Sequence, residues 1–237
     1  MTAPESPRVG TVAGIAELAE FYADAPEGVR ANMIFSADGA AAFGGRAGPL
    51  SCPVDQQLLK ILRGFADVVL VGAGTARAED YGPVRLTETL TGARRAGPPP
   101  IAVVSRSGVL PARLFSDPGQ PPILVTCSQA AAQHDLSSDD RRHVMLAGED
   151  SVDVARAVAL LRAAGMHRIL CEGGPTLLDE LVEADAVAEI CVTVAPKLAA
   201  SQPVGHRPLP SRLVAPTTMR LAHALVHDDY LFLKYCR

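Results

Sequence analysis

Between Arg168 and Leu181 the chain reads R-I-L-C-E-G-G-P-T-L-L-D-E-L, an apolar run followed by one acid, two glycines and a proline. The pattern is that of a buried strand, a glycine turn and a helix start. Gly173 and Gly174 allow backbone approaches that a Cβ would block, and Pro175 suits the first helical position. Leu177, Leu178 and Leu181 give the following helix an apolar face. A helix N-terminus, with its N–H groups and partial positive charge, is an anion site. Glu172 would repel a phosphate placed there, so its chemistry points to another ligand group, such as the N–H edge of a heterocycle. An ordinary strand-to-helix turn with a solvated glutamate is the alternative reading of the same residues.

A second turn of this kind is Gly72-Ala73-Gly74-Thr75. Gly72-x-Gly74-x-x-Arg77 matches two thirds of a dinucleotide fingerprint, but Arg77 occupies the position where helix–strand packing wants glycine, which argues against a standard Rossmann unit. Small residues and the Thr75 hydroxyl still suit a phosphate. Arg63, late in a helix, can meet that helix's own C-terminal carbonyls or reach into a cleft. Asp38-Gly39 is turn chemistry at a strand end. The glycines at 44, 45 and 48 suit a lid or a plain hairpin. No Ser/His/Asp or Cys/His set is visible, and the six scattered histidines indicate no metal site.

Alternating strand and helix signals position these residues. Strands are expected at Val29 to Phe35, Val68 to Val71, Ile101 to Val104, Ile123 to Val125, Val144 to Leu146, Ile169 to Cys171 and Ile190 to Val194. Arg220 to Val226 and Tyr230 to Tyr235 read as an antiparallel hairpin across His227-Asp228-Asp229. Helices are expected at Ile15 to Tyr22, from Ser51 and Pro53 with Leu58, Leu59, Leu62 and Phe65 buried, and from a Ser151 cap to Ala164, closed by Gly165. Leu86 to Pro100, rich in glycine, proline and arginine, reads as a surface excursion.

The 237 residues, 48% hydrophobic and 20% charged, suffice for one large α/β domain. A net charge of −4 and the lack of a basic run argue against nucleic acid. No apolar stretch approaches the roughly 18 residues needed to span a membrane, so a cytoplasmic location is expected. The five cysteines are widely spaced, without a C-x-x-C pair, and read as buried thiols.

Four segments occur in order: N-M-I-F-S-A-D-G from Asn32, L-R-G-F-A-D-V-V-L-V-G-A-G-T-A-R-A-E-D-Y from Leu62, C-E-G-G-P-T-L-L from Cys171 and T-V-A-P-K-L from Thr193. Together they resemble the reductase domain of bacterial riboflavin biosynthesis, over about Val29 to Arg237. The resemblance implies a dihydrofolate-reductase-like three-layer α/β/α fold. Its mostly parallel central sheet would be closed by the C-terminal antiparallel hairpin, with residues 1–28 as an N-terminal segment and 29–237 as the reductase domain. It also implies NADPH-dependent reduction of the ribosyl group of 5-amino-6-(5-phosphoribosylamino)uracil to the ribityl form. The chemistry would be hydride transfer in which the protein supplies position and electrostatics.

Carried over residue by residue, the resemblance places Phe35 and Ser36 beside the nicotinamide. It places Gly72, Gly74, Thr75, Glu79, Ser105 and Gly173, Gly174, Pro175, Thr176, Leu177 around the rest of the cofactor. Arg106, next to Ser105, is positioned to pair with a 2′-phosphate. Glu172 reads the pyrimidine, Arg63 and Arg85 hold the substrate phosphate, and Asn32 stands where a lysine is common. Asp38 is either a turn carboxylate or, with Glu172, part of the catalytic set. The H-x-E and P-C-x-x-C motifs of a zinc deaminase are absent, so a stand-alone reductase domain is expected. A reductase of a pterin or another carbonyl compound, and a nucleotide-binding protein without turnover, are the competing functions. Partners are expected to be the phosphorylated pyrimidine and a second copy of the chain, paired through Leu221, Leu225, Leu231 and Leu233.

Overall fold

The apolar runs become strands of one ten-stranded sheet in the computed structural model, which describes residues 6–86, 97–200 and 211–237. In chain order the elements are β1 (Arg8–Thr11), α1 (Ile15–Glu20), β2 (Gly28–Ser36), α2 (Pro53–Phe65), β3 (Val68–Gly72), α3 (Ala73–Ala78), β4 (Ile101–Val104), β5 (Ile123–Thr126) and α4 (Ser128–Gln133). They continue with β6 (His143–Leu146), α5 (Val154–Ala163), β7 (Arg168–Cys171), α6 (Pro175–Glu183), β8 (Val187–Ala195), β9 (Arg220–His227) and β10 (Tyr230–Cys236). The strand order is β1-β9-β10-β8-β2-β7-β3-β4-β5-β6. Among these described strands, only the pairings of β10 with β8 and β9 are antiparallel. The expected mostly parallel sheet with a C-terminal antiparallel hairpin is therefore present. That hairpin turns through Asp228 and Asp229, both at positive φ (46° and 65°), the two-residue geometry whose twist matches paired strands.

Two apolar clusters flank the sheet. On one face Leu18, Tyr22, Leu58 and Leu62 meet Val69, Val71, Leu170 and Phe232. On the other, Val154, Ala157, Leu161, Leu177 and Leu181 meet Val29, Val68, Leu70 and Ile169. The continuous run Val68 to Val71 is buried on both sides, as expected of a central parallel strand.

The structure changes several details. The N-terminal segment is built into the sheet: β1 pairs in parallel with β9, and Leu18 and Tyr22 of the segment that follows are at most 1% exposed. Gly72 to Thr75 is not a loop, because α3 begins at Ala73 directly after β3. The α5 cap is Asp153, whose side chain accepts from Arg156 N–H at 3.0 Å; Ser151 lies outside the helix. Leu225 is buried in the core, 3% exposed, and cannot form a mating surface. Most of the Leu86 to Pro100 excursion lies outside the described residues.

Candidate functional site

The C-terminal ends of β2, β3 and β7 open onto a cavity of about 660 Å³, the place where parallel α/β sheets bind ligands. α2 forms one wall. Asp55, Leu59 and Arg63, four residues apart, share one helical face toward the cavity, with Ser51 just ahead of the helix. The opposite side comprises Gly72, Gly74 and Thr75 and the start of α6, Gly174 to Leu177.

At one end, Glu172 and Arg63 form a bidentate pair, Nε to Oε1 and Nη2 to Oε2, both 2.7 Å. The Tyr81 hydroxyl donates to Oε2 at 2.6 Å, and the Arg63 guanidinium lies 5.4 Å from the Tyr81 ring centre. Burial alone would lower the Arg63 pKa, but Glu172 more than offsets it and the guanidinium is held charged. Burial, reinforced by Glu172, pushes the Tyr81 phenol well above its ordinary value. A carboxylate offers about four acceptor positions. Three are used here, so one position on Oε1 is left for a ligand N–H unless Arg63 moves.

At the other end, Asp55 accepts from Ser51 Oγ at 2.5 Å and from Thr193 Oγ1 at 2.7 Å. Burial raises its pKa against the opposing pull of those two hydroxyls. Lys197 donates to the carbonyls of Pro49, Leu50 and Ser51 at 2.8 to 3.3 Å and fixes the approach to α2. The T-V-A-P-K-L segment thus holds this corner through Thr193 and Lys197. Glu79 accepts from Ala47 N–H at 2.6 Å and lies 3.4 Å from Arg46 Nε, which fastens the glycine-rich stretch along the cavity edge. That stretch is a tight hairpin, with Phe43 and Arg46 exchanging backbone hydrogen bonds across Gly44 and Gly45 at φ 59° and 79°.

Asn32, Arg63, Gly72, Gly74, Thr75, Glu79, Glu172, Gly174, Pro175, Thr176 and Leu177 all line the cavity. Gly173 stands just behind it in a cis peptide bond with Gly174, and its carbonyl accepts from Gly72 N–H at 2.7 Å. A Cβ on Gly174 would sit 2.5 Å from Thr75 Oγ1, so the two glycine turns close on each other only without side chains there. Phe35, Ser36, Asp38, Arg85 and Ser105 are not on the wall. The Asp38 carboxylate takes bonds from Ser36 Oγ and from the N–H groups of Ala199 and Ala200, which hold its pKa below the usual range. These are the bonds of a turn carboxylate, on a residue that does not line the cavity. The Arg85 side chain is 74% exposed and lies 3.6 Å from Asp117, away from the cavity.

Ser105, at the end of β4, is 4% exposed and its Oγ has no partner; Thr126 Oγ1, just beyond the next strand's apolar run, is likewise buried and unpaired. Sequence reading missed Asp55, Ser51 and Tyr81. The four-residue spacing of Ser51, Asp55, Leu59 and Arg63 is the signal that would have found the first two. Cys171, behind Glu172, is an inert thiol, its pKa pushed up to about 12 by burial. Among the described residues no group of metal-ligating side chains is present, and no helix is long and apolar enough to cross a membrane.

Comparison with known proteins agrees with this architecture. Residues 27–228 match the RibD C-terminal domain model. A 2,5-diamino-6-ribosylamino-4(3H)-pyrimidinone 5′-phosphate reductase of Archaeoglobus fulgidus is 29% identical over 195 residues, 79% of this chain and 80% of that protein. One of the same name from Methanothermobacter thermautotrophicus is 27% identical over 170 residues, 70% of this chain and 76% of that protein. A pyrimidine reductase-like protein from Corynebacterium diphtheriae superposes with a TM-score of 0.77 at 26% identity, covering 91% of this chain and 94% of its own. The chain belongs to the RibD C-terminal domain family.

Proposed function

We propose that the protein is an NADPH-dependent reductase of riboflavin biosynthesis that converts the ribosyl group of a phosphoribosylaminopyrimidine to the ribityl form. The observation that carries this reading is one cavity whose lining joins the glycines at a helix start to the Glu172–Arg63 pair. The residues present fit the cofactor. Gly174 cannot accept a Cβ beside Thr75, and Gly72, Gly74, Thr75 and the start of α6 line one side of the cavity together. Gly72, Gly74, Thr75 and Gly174 to Leu177 would hold the phosphates. Exposed Arg106 would meet the 2′-phosphate that distinguishes NADPH from NADH. Bound NADPH supplies a hydride.

The protein orients the acceptor. Glu172, fixed by Arg63 and Tyr81, offers its remaining acceptor position to a ring N–H of the pyrimidine. Arg63 is committed to Glu172, and Arg85 is remote. Exposed Arg46, at the cavity edge with a 3.4 Å contact to Glu79, would turn to the substrate phosphate. The substrate is 5-amino-6-(5-phosphoribosylamino)uracil or the 2-amino pyrimidinone for which the archaeal relatives are named. The two differ at ring C2. Incubation of the purified protein with NADPH and each pyrimidine tests the reading. Oxidation of the nicotinamide that depends on one of them supports it, and oxidation with dihydropterins alone transfers the function to the competing class.

The assembly is a homodimer in this reading. Ile190, Val192, Leu233 and Tyr235 are half-buried and Leu231 is 38% exposed on the sheet face opposite Phe232, an apolar surface suited to a second copy.

A further inference from the structure

Reduction of a ribosylamine needs a proton as well as a hydride. When C1′ receives the hydride, the C1′–O4′ bond breaks and its electron pair moves onto O4′, which must be protonated to become the 4′-hydroxyl. Among the described residues three carboxyl groups line the cavity, and two of them are committed. Glu172 is bound by Arg63 and Tyr81. Glu79 holds the Ala47 N–H and faces Arg46. Asp55 differs in kind. Its partners are two hydroxyls, Ser51 Oγ and Thr193 Oγ1, which donate to a carboxylate and can equally accept from a carboxylic acid. No ion pair ties it among the described residues.

Building on the reductase reading, we propose that Asp55 is the proton donor of the reaction, passing its proton to the ribose ring oxygen as the C1′–O4′ bond breaks. Eight residues separate Asp55 from Arg63 on the same face of α2, about 12 Å at 1.5 Å per residue. That separation puts the ribose at the Asp55 end when the pyrimidine lies against Glu172. Two electrons and a proton arrive at C1′ as the hydride and one proton arrives at O4′ from Asp55. The resulting carboxylate is stabilised by the Ser51 and Thr193 hydroxyls until solvent in the cavity reprotonates it.

The charged and titratable groups around Asp55 are consistent with this role. Tyr22, from the segment after α1, is buried and neutral, its pKa raised first by burial. Lys197 is spent on the carbonyls that precede α2. Arg46 and Glu79 line the same cavity and contact each other at 3.4 Å, and Arg63 and Glu172 neutralise each other. Burial raises the Asp55 pKa from its ordinary value, the direction that favours the protonated form a general acid needs.

Asp55→Asn is expected to lower kcat by about 10²- to 10⁴-fold, with Kd for NADPH and for the pyrimidine, measured by calorimetry, unchanged. Asp55→Glu restores part of the rate. Wild-type kcat falls as pH rises through the Asp55 pKa, because the acid must carry its proton, and Asp55→Asn loses that limb. Ser51→Ala keeps the carboxyl and removes a bond to its ionised form, so its limb moves to higher pH. In carbon-detected NMR the Asp55 carboxyl, assigned by its absence in Asp55→Asn, titrates above the ordinary aspartate value. Turnover by the wild type with an unchanged rate and pH limb in Asp55→Asn, or a carboxyl that titrates at the ordinary value, overturns the proposal and leaves the reductase reading standing. A folded wild type that oxidises no NADPH with either pyrimidine removes both.

Discussion

Arg63 illustrates how far a residue's type can be trusted. A cation in a cleft suits a phosphate, but Arg63 spends the Nε–Nη2 edge of its guanidinium on Glu172, a residue 109 positions away. Both residues were legible as site members, and their pairing was not, since nothing local to either one specifies the other. Arg63→Ala leaves Glu172, whose side chain is 3% exposed, without its counter-charge. Removing one partner of a buried pair costs about 3 kcal/mol, so urea denaturation should show a loss of that order. Arg63→Lys should recover little of it, because an ammonium cannot reproduce the planar fork. An unchanged midpoint for Arg63→Ala contradicts the pairing. Gly174 was legible for the reason the structure gives, a close approach. Gly174→Val drives a side chain into Thr75 Oγ1 and should abolish NADPH binding in calorimetry; retained binding contradicts the cradle.

Among the elements, the apolar strands were readable because burial on one or both faces dictates their composition, and β4 matches its expected span residue for residue. β1 was not readable. Its four residues, Arg8 to Thr11, are all exposed, so its pairing with β9 rests on backbone bonds and leaves no apolar pattern. α4, S-Q-A-A-A-Q, buries only alanines and carries no periodic signal of large residues. The α5 start was displaced by two residues because Ser151 and Asp153 are both good caps by type. Asp153→Ala should destabilise by about 1 kcal/mol, read in thermal melts, and Ser151→Ala by much less.

The segment after α1 is fastened by buried charges on the sheet. Arg30 donates to the carbonyls of Tyr22 and Asp24 at 3.0 and 2.7 Å, Lys234 donates to Phe21 O at 2.6 Å, and Glu189 lies between them, 2.5 Å from Arg30 Nε. His223 stacks edge-on against Phe21 and Tyr22 in this cluster. Burial, with Lys234 and Arg30 nearby, lowers its pKa from 6.5 to about 4. In the unfolded chain it protonates at its ordinary value, so unfolding gains a proton between those limits. His223 therefore contributes no pH dependence above about 6.5 and an increasing loss of stability as pH falls from there toward about 4. His223→Phe should flatten that part of the stability profile, and an unaltered acid limb contradicts the assignment.

At the scale of the whole molecule, the β8–β10–β9 half of the sheet exposes Leu231 beside half-buried Leu233 and Tyr235. A homodimer through that surface predicts twice the chain mass in sedimentation at micromolar concentration, and Leu231→Glu with Leu233→Glu should return the mass of one chain while the fold persists. One-chain mass for the wild type contradicts the dimer. The same whole-molecule view unites the site, because α2, β3, β7 and α6 contribute one wall each and no single segment carries the function. Hydride transfer to the ribosyl carbon, as proposed, is tested by supplying NADPH deuterated at the transferable position of the nicotinamide with each phosphoribosylaminopyrimidine and locating the label by mass spectrometry and NMR. A ribitylamino product with deuterium at C1′ is expected; an unlabelled or unreduced sugar with the NADPH left intact would contradict it.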